Sequence, residues 1–375
     1  MTGSPSGDGS APAAHHRLLA DFAAGRTAAL ARAVSIVENH RAGFERILAE
    51  LHPRLGHAWR IGLTGPPGAG KSTLTMQLTK HYRAAGRRVG IIAVDPTSPF
   101  TGGALLGDRI RMESVALDPA VYIRSMATRG SLGGLASATR EVADVLDAFG
   151  IDVILIETVG VGQSELDIAR TADSSVVILV PESGDSIQTL KAGLMEIADV
   201  YVVNKADRPG ADRLSNELEL MLGLRAGNSL QNVPAHHGVD LKRPLTPEQR
   251  RAVNPARLAR EAARSAEPAQ WTPPVLRTVA SDGQGVAELA GAIARHMQFL
   301  GSSGELRVRR VRRLRERVIE VAERVARRRL WSDPATTELL ERSLTALESG
   351  ATTPFDVAES ILASAASVVA GTRGN

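Results

Sequence analysis

Residues Ile61 to Leu74 read IGLTGPPGAGKSTL, and this stretch decides the fold. An apolar segment typical of a buried strand comes first, a glycine-rich turn follows, and a helix begins after the turn. Four residues match the pattern G-x-x-x-x-G-K-[ST] without a mismatch: Gly65, Gly70, Lys71 and Ser72. A glycine-rich turn with an incidental lysine is the alternative. The complete match favours a loop that binds the phosphates of a nucleoside triphosphate.

The spacing of this motif has a physical reason. Glycines let the backbone curl until successive N–H groups converge on phosphate oxygens, and the following helix adds its positive N-terminal end. Lys71 can then reach the terminal phosphates as a catalytic residue, and the Ser72 hydroxyl can occupy one coordination position of Mg²⁺. The predicted nucleotide-binding residues of this loop are Gly65, Pro66, Pro67, Gly68, Ala69, Gly70, Lys71, Ser72 and Thr73.

Composition narrows the class of protein. The 375 residues contain no cysteine, which excludes disulfides, thiolate metal sites and cysteine nucleophiles. The net charge is only +4 and 3% of the residues are aromatic, so composition gives little support to nucleic-acid binding. Neither a secretory signal nor a membrane-spanning run stands out. We therefore expect a cytoplasmic protein.

Six further apolar runs follow the phosphate loop, and helical segments separate most of them. They cover 89–95, 121–123, 153–157, 176–180, 200–204 and 275–280. Strands that are apolar on both faces and alternate with helices predict an α/β fold of the P-loop NTPase type, with a mainly parallel sheet and helices on both faces. Ligands of such sheets bind at the carboxyl ends of the strands. Polar residues end four of the runs: Asp95, Glu157, Asn204 and Ser281.

The flanking segments are predicted to be helical. We expect a disordered tail over 1–16, a helical N-terminal extension over 17–57, the P-loop domain over 58–300 and a helical C-terminal region over 301–375. In the last region Val311, Leu314, Val318, Val321 and Val325 form a heptad stripe. This stripe needs a partner, either the chain's own last helices or a second subunit. The loop-like part, 227–247, contains His236 and His237, which we interpret as solvent or structural histidines.

Residues Asn204-Lys205-Ala206-Asp207 follow a predicted buried strand. A carboxylate at Asp207 can accept hydrogen bonds from both the ring N–H and the amino group of guanine, a donor pair that adenine does not offer. The Asn204 side chain can bond the opposite edge of the base and the phosphate loop. The backbone of Ala280 and Ser281 could contact the guanine carbonyl. The sequence therefore predicts GTP rather than ATP, with Asn204, Lys205 and Asp207 as binding residues.

Glu157 ends an apolar strand, and Gly160 follows three residues later. P-loop NTPases place a metal-side acid and a γ-phosphate-sensing glycine at this point. Glutamate stands here in place of the usual aspartate, and it could act through a water on Mg²⁺ or orient the attacking water. Asp95 and Asp108 are two further acids expected near the metal. An ordinary loop residue paired with a neighbouring arginine is the alternative for Asp108.

Four segments together resemble the MeaB/ArgK family, GTPase chaperones of adenosylcobalamin-dependent acyl-CoA mutases such as methylmalonyl-CoA mutase. The segments are Ala93–Pro99, Gly107–Met112, Arg129–Leu135 and Glu157–Glu165. The resemblance is dense from about Arg26 to Asp207 and looser beyond. The 227–247 stretch is longer than the family pattern, which leaves the identity of the partner mutase open.

The resemblance implies a homodimeric GTPase, with 301–375 as the dimerisation region. It implies Mg²⁺ contacts from Ser72, Asp95 and Asp108, with Glu157 at the second switch. It also implies regulatory or catalytic roles for Gln188 and Lys191 in a segment that communicates with the mutase. The cobalamin signature D-x-H-x-x-G is absent, so we expect this chain to hold GTP or GDP but no cobalamin.

Three functions from different classes remain at this point. The first is a Mg²⁺-dependent GTPase that gates loading, protection or reactivation of the cofactor in an acyl-CoA mutase. The second is a kinase that transfers phosphate to an acceptor, although no separate base or acceptor motif is visible. The third is a nucleic-acid-associated protein that uses the arginine-rich helix over 307–329, whose mixture of arginine and glutamate favours a solvated face. We expect neither nucleic acid nor a membrane as partner.

Overall fold

The computed structural model describes residues 10–96, 112–128, 134–158, 168–181, 196–225 and 270–365. The chain divides into two compact units, Met1–Arg307 and Val308–Asn375. This division lies a few residues after the boundary predicted between 300 and 301. Each unit is described by itself below.

Seven strands of the first unit form one sheet. They are β1 (Trp59–Thr64), β2 (Val89–Pro96), β3 (Val121–Thr128), β4 (Val153–Thr158), β5 (Ser174–Leu179), β6 (Val200–Asn204) and β7 (Val275–Thr278). Their order is β3-β2-β4-β1-β5-β6-β7, and every neighbouring pair is parallel. The predicted parallel sheet is confirmed. Because β1 lies at its centre, the loop after β1 lies at the middle of the carboxyl edge, where parallel sheets bind ligands.

Eight α-helices are described in or at the first unit. They are α1 (Ser10–Ala23), α2 (Thr27–Glu38), α3 (Phe44–Leu51), α4 (Lys71–Ala84), α5 (Glu113–Ala116), α6 (Gly134–Ala148), α7 (Ala211–Arg225) and α8 (Val286–Ser302). A short 3₁₀ turn, His52–Arg54, follows α3.

Successive residues of the central strands point to opposite faces of the sheet and pack into different cores. On one face Ile91 and Leu155 lie in a cluster with residues of α4 and α8. On the other face Ile92 and Ile154 pack with residues of α1, α2, α3 and α6. A third cluster joins β5 and β6 to α7 around the fully buried Tyr201. Both faces are therefore covered, as the unbroken apolar runs require.

The N-terminal prediction needs one correction. The tail expected over 1–16 is too long, because α1 begins at Ser10. Residues 10–16 include three alanines, which favour helix more than any other residue, and Leu18 and Phe22 of the same helix are buried. Burial of that apolar face stabilises a helix that composition alone did not suggest. Gly25, between α1 and α2, has a left-handed backbone with φ 75°.

A buried ion network lies at the amino ends of β1 and β5. The Arg60 guanidinium donates to Asp144 at 2.8 Å and to Asp147 at 3.1 Å. The Asp173 carboxylate accepts the backbone N–H of Arg60 at 3.3 Å. Asp147 also accepts the N–H of Ala58 at 3.0 Å. Burial by itself lowers the pKa of Arg60, but the three carboxylates outweigh burial and raise it. This network ties β1 to α6 as structural support.

The C-terminal helices are α9 (Glu305–Ser332), α10 (Pro334–Glu348) and α11 (Pro354–Ser364). No residue of α9 is buried, and Val311, Leu314 and Val318 of the predicted stripe are exposed by 56%, 46% and 68%. Helix α11 begins with a reciprocal capping box between Thr353 and Asp356. Among the described residues no helix combines the length and the hydropathy that a membrane span needs.

Candidate functional site

The phosphate loop connects the last residue of β1, Thr64, to the first residue of α4, Lys71. Gly65, Gly68 and Gly70 have positive φ angles of 142°, 75° and 86°. At Gly65 a Cβ would collide with the carbonyl oxygen of Ile178, so a side chain cannot be accommodated there. The loop curls in front of the amino end of α4, whose positive dipole end and N–H groups attract anions. The loop therefore has the curled backbone that the predicted phosphate site requires.

The side chain of Lys71 folds back onto its own loop. Its Nζ donates to the carbonyl oxygens of Gly65 at 2.8 Å and Pro66 at 2.9 Å, and the residue is only 6% exposed. A buried ammonium needs acceptors, and here two loop carbonyls serve. Phosphate oxygens can replace these carbonyls as stronger, charged acceptors.

Glu157, at the end of β4, faces the first turn of α4. The Ser72 hydroxyl donates to Glu157 Oε1 at 2.5 Å, and the Thr75 hydroxyl lies 3.1 Å from Glu157 Oε2. Thr75 also lies 2.9 Å from the Lys71 carbonyl oxygen. The longer arm of glutamate spans the gap between strand and helix, so the carboxylate reaches both hydroxyls. Ser72 and Glu157 are thus in contact, and both offer hard oxygen atoms of the kind that Mg²⁺ prefers.

Asn204 joins three parts of the site through its amide. Its Nδ2 donates to the Ala69 carbonyl at 2.8 Å, which ties the end of β6 to the phosphate loop. Its Oδ1 accepts from the Thr278 hydroxyl at 2.9 Å and from the Ala280 N–H at 3.1 Å. The side chain is buried, at 2% exposure. The predicted bond to the loop backbone is therefore present, and one Nδ2 hydrogen remains for a ligand.

The loop after β7, residues 279–284, is the second edge of the predicted base site. The strand predicted to run to Ala280 ends at Thr278, because Val279 forms a bridge with Gln284 and the chain turns. The Ala280 N–H donates to Asn204, whereas Ser281, the other residue predicted to contact a guanine carbonyl, is exposed. The Ala280 carbonyl accepts from Gln77 Nε2 of α4 at 3.0 Å.

Lys205 and Asp207 lie in the turn that follows β6. Lys205 has a left-handed backbone with φ 54°, and its carbonyl accepts the N–H of Arg208 at 3.0 Å. The Ala206 N–H donates to the Thr278 carbonyl at 3.0 Å, which fixes this turn against the end of β7. Asp207 is exposed on the turn. Its carboxylate is therefore open to a ligand, as base recognition requires.

Several predicted site residues lie outside the described side chains. Asp95 lies at the end of β2, where it pairs in register with Ala127, but its side chain lies outside the described residues. Asp108, Gln188, Lys191 and the pair His236–His237 lie outside them entirely. Among the side chains that the structure does describe, no group of three or more histidines and carboxylates forms a metal site.

Three residues of the site were missed by the sequence reasoning: Thr75, Gln77 and Thr278. Thr75 and Gln77 are ordinary positions of an amphipathic helix, and Thr278 is an ordinary strand residue. Gln77 and its partner are 203 residues apart in the chain. The only usable signal was proximity to a motif, since Thr75 lies one helical turn beyond Lys71.

The comparisons with known proteins agree with this geometry. A protein from Pyrococcus abyssi that is named a GTPase is 48% identical over 77% of this chain and 78% of its own length. A protein from Mycobacterium tuberculosis, also named a GTPase, is 38% identical over 90% of this chain and 91% of its own.

The crystal structure of a LAO/AO transport system kinase shares the fold, with a TM-score of 0.60 and 24% identity. It matches 96% of this chain and 98% of that one. The family described as methylmalonyl Co-A mutase-associated GTPase MeaB matches residues 30–335, which is most of the chain. This protein belongs to the MeaB family of P-loop GTPases.

Proposed function

We propose that this protein binds GTP with Mg²⁺, hydrolyses it to GDP and phosphate, and uses the change to gate cofactor loading, protection or reactivation in an adenosylcobalamin-dependent acyl-CoA mutase. We propose further that it acts as a homodimer in the cytoplasm and holds no cobalamin itself. The observation that carries the proposal is the Asn204 amide, which joins the phosphate loop to both loops of the base site.

Guanine selectivity is supported by the arrangement around Asn204. This side chain is locked by three hydrogen bonds and lies between the turn that carries Asp207 and the loop that carries Ser281. An exposed carboxylate on one side can accept two N–H groups of guanine, and a backbone N–H on the other can donate to its 6-oxo group. Adenine has an amino group where guanine has this oxygen, so two donors, this amino group and the backbone N–H, would face each other.

The oxygen atoms near the phosphate loop support the Mg²⁺ assignment. Ser72 and Glu157 fit the ion because both offer hard oxygens, and Asp95 and Asp108 are the further candidates. When bound, Mg²⁺ neutralises charge on the phosphates. Glu157 Oε1 accepts a hydrogen bond from the Ser72 hydroxyl, with 2.5 Å between the two oxygens, which leaves the lone pairs of the Ser72 oxygen for the metal side. This contact favours a role for Glu157 in orienting Ser72.

Lys71 supports phosphate binding through an exchange of partners. Its ammonium leaves the carbonyls of Gly65 and Pro66 and takes phosphate oxygens in their place. The two released carbonyls then need new donors, so we expect the phosphate loop to adjust when the nucleotide enters. We propose Gln188 and Lys191 as further residues of the catalytic or regulatory machinery, on the resemblance that first suggested them.

The mutase role rests on the family, whose description names methylmalonyl Co-A mutase. The homodimer rests on α9, where Val311, Leu314 and Val318 present apolar side chains to solvent along one stripe. A second copy of the chain could bury this stripe in a coiled-coil-like contact. Sedimentation equilibrium of the full chain tests the dimer. A monomer over the micromolar range would contradict it.

GTP turnover measured alone and with a purified methylmalonyl-CoA mutase tests the function. We expect slow release of free phosphate from the protein alone and a marked acceleration with the mutase, because an activating partner can complete a GTPase site. No acceleration with any acyl-CoA mutase would contradict the chaperone role. Labelled γ-phosphate on a protein or amino acid, instead of free phosphate, would establish the kinase alternative.

A further inference from the structure

The amide of Gln77 holds the loop that follows β7 against the helix that follows the phosphate loop. Gln77 Nε2 donates to the Ala280 carbonyl oxygen at 3.0 Å in a partly buried contact. A Cβ added at Gly283 would lie 3.8 Å from Gln77 Oε1, so the amide also lies against the turn of this loop. Gln77 is about two helical turns beyond Lys71.

The held carbonyl belongs to the same peptide group as the Ser281 N–H. A peptide group is planar, and in its trans form the N–H points away from the C=O. The peptide bonds of the described chain include no cis form. Fixing the Ala280 oxygen toward α4 therefore fixes the direction of the Ser281 N–H, which points away from Gln77.

The Ser281 N–H is a donor that this loop can offer to a base. The neighbouring Ala280 N–H donates to Asn204 at 3.1 Å, and the Asp282 N–H donates to the Val279 carbonyl at 3.1 Å. Within the part of the chain that the structure describes, the Ser281 N–H has no acceptor. Ser281 is also exposed, so a ligand can reach it.

We propose that Gln77 is a positioning residue for base specificity: it orients the Ala280–Ser281 peptide so that the Ser281 N–H donates to the 6-oxo group of the purine. The inference rests on the proposed binding of a guanine nucleotide. Gln77 touches neither the base nor the phosphates in this account. It restrains the orientation of the Ala280–Ser281 peptide plane, which preorganises the Ser281 N–H before the nucleotide binds.

Three nucleoside diphosphates separate this role from a general structural one. GDP and IDP both carry the 6-oxo group, whereas 2-aminopurine riboside diphosphate carries the 2-amino group without it. Gln77→Met keeps the length of the side chain and removes the donor. Gln77→Asn keeps an amide but shortens it by one methylene, so it cannot reach the carbonyl. Lys80→Met, an exposed residue on the same helix, is the control.

Titration calorimetry on the full chain measures all nine variant–ligand pairs and the wild type. We expect both Gln77 variants to bind GDP and IDP about 3- to 10-fold more weakly, the range for one neutral hydrogen bond, with 2-aminopurine riboside diphosphate unchanged within about 2-fold. Lys80→Met should match the wild type.

An equal loss for all three ligands, or no loss for GDP, would overturn the positioning role. If the proposed binding of a guanine nucleotide were wrong, the result would be different, because the wild type itself would bind ADP as tightly as GDP. Should one Gln77 variant fold poorly, as judged by circular dichroism, the other still decides between these outcomes.

Discussion

Polar side chains gather at both ends of the sheet, yet the two ends are built differently. At the amino ends Arg60 is enclosed by Asp144, Asp147 and Asp173, so its charge is paired within the protein. At the carboxyl ends Lys71 and Ser72 have partners that a ligand can replace, namely loop carbonyls and one carboxylate. A supporting network and a binding site thus differ in whether their partners can be exchanged, and the number of polar groups does not distinguish them.

We expect the largest effect of a substitution at the amino end of the sheet. Arg60→Met leaves three carboxylates without their buried cation, and we expect the free energy of unfolding to fall by about 3–5 kcal/mol. Urea denaturation measures it. Arg46→Met, which removes an exposed partner of Glu50, is the control and should change stability by less than about 1 kcal/mol. Equal effects of the two variants would contradict the structural role of the network.

At the carboxyl end the first prediction concerns Lys71. Lys71→Ala should weaken GTP binding by about 100-fold, because it removes a charged donor to the phosphates. We expect the variant to remain folded, since the Lys71 hydrogen bonds to Gly65 and Pro66 stay within the phosphate loop. Fluorescence titration with a labelled GTP analogue and circular dichroism check the two statements. Lys80→Ala on the same helix is the control, and unchanged affinity in Lys71→Ala would contradict the account.

A smaller effect is expected at Thr278, which holds the Asn204 amide. Thr278→Val keeps the shape of the side chain and removes the hydroxyl that donates to Asn204 Oδ1 at 2.9 Å. One of the two donors to this oxygen is then lost, so we expect GDP affinity to fall by about 3- to 10-fold. Thr278→Ser restores the hydroxyl and should restore most of the affinity. If Val and Ser behaved alike in calorimetry, the hydroxyl would have no part in binding.

The smallest effect is a pH dependence at the amino end of β3. The Arg83 side chain, with the Ala120 N–H, lowers the pKa of Asp118 below its usual value of 3.8. A carboxylate with a lowered pKa in the folded state stabilises that state above its unfolded pKa, and the contribution is lost as pH falls through the folded pKa. Wild type should therefore melt slightly above Asp118→Asn at pH 7, and this difference should shrink below pH 3.8. A pH-independent difference in melting temperature would contradict the ion pair.

The sequence predicted the local features at both ends of the sheet well. It predicted poorly the contacts between residues that are far apart in the chain. The phosphate loop and the strands have local signals, since glycine spacing and unbroken apolar runs depend on neighbouring residues. The contacts of Gln77 with Ala280, and of Arg60 with Asp144 and Asp147, depend on distant parts of the chain. No spacing rule predicts them, because the fold and not the local sequence brings these residues together. The missed start of α1 has the same cause, since burial of Leu18 and Phe22 against distant residues stabilises this helix.

Calorimetry of the wild-type protein with GDP and with ADP, in the presence of Mg²⁺, compares binding of the two purines. The claim is that a guanine nucleotide binds at the carboxyl ends of the strands, between the phosphate loop and the loops joined by Asn204. We expect GDP to bind at least about 100-fold more tightly than ADP. ADP cannot make the two hydrogen bonds to Asp207, and its 6-amino group, a donor, would face the Ser281 N–H, which is also a donor. Equal affinities, or a preference for ADP, would contradict it.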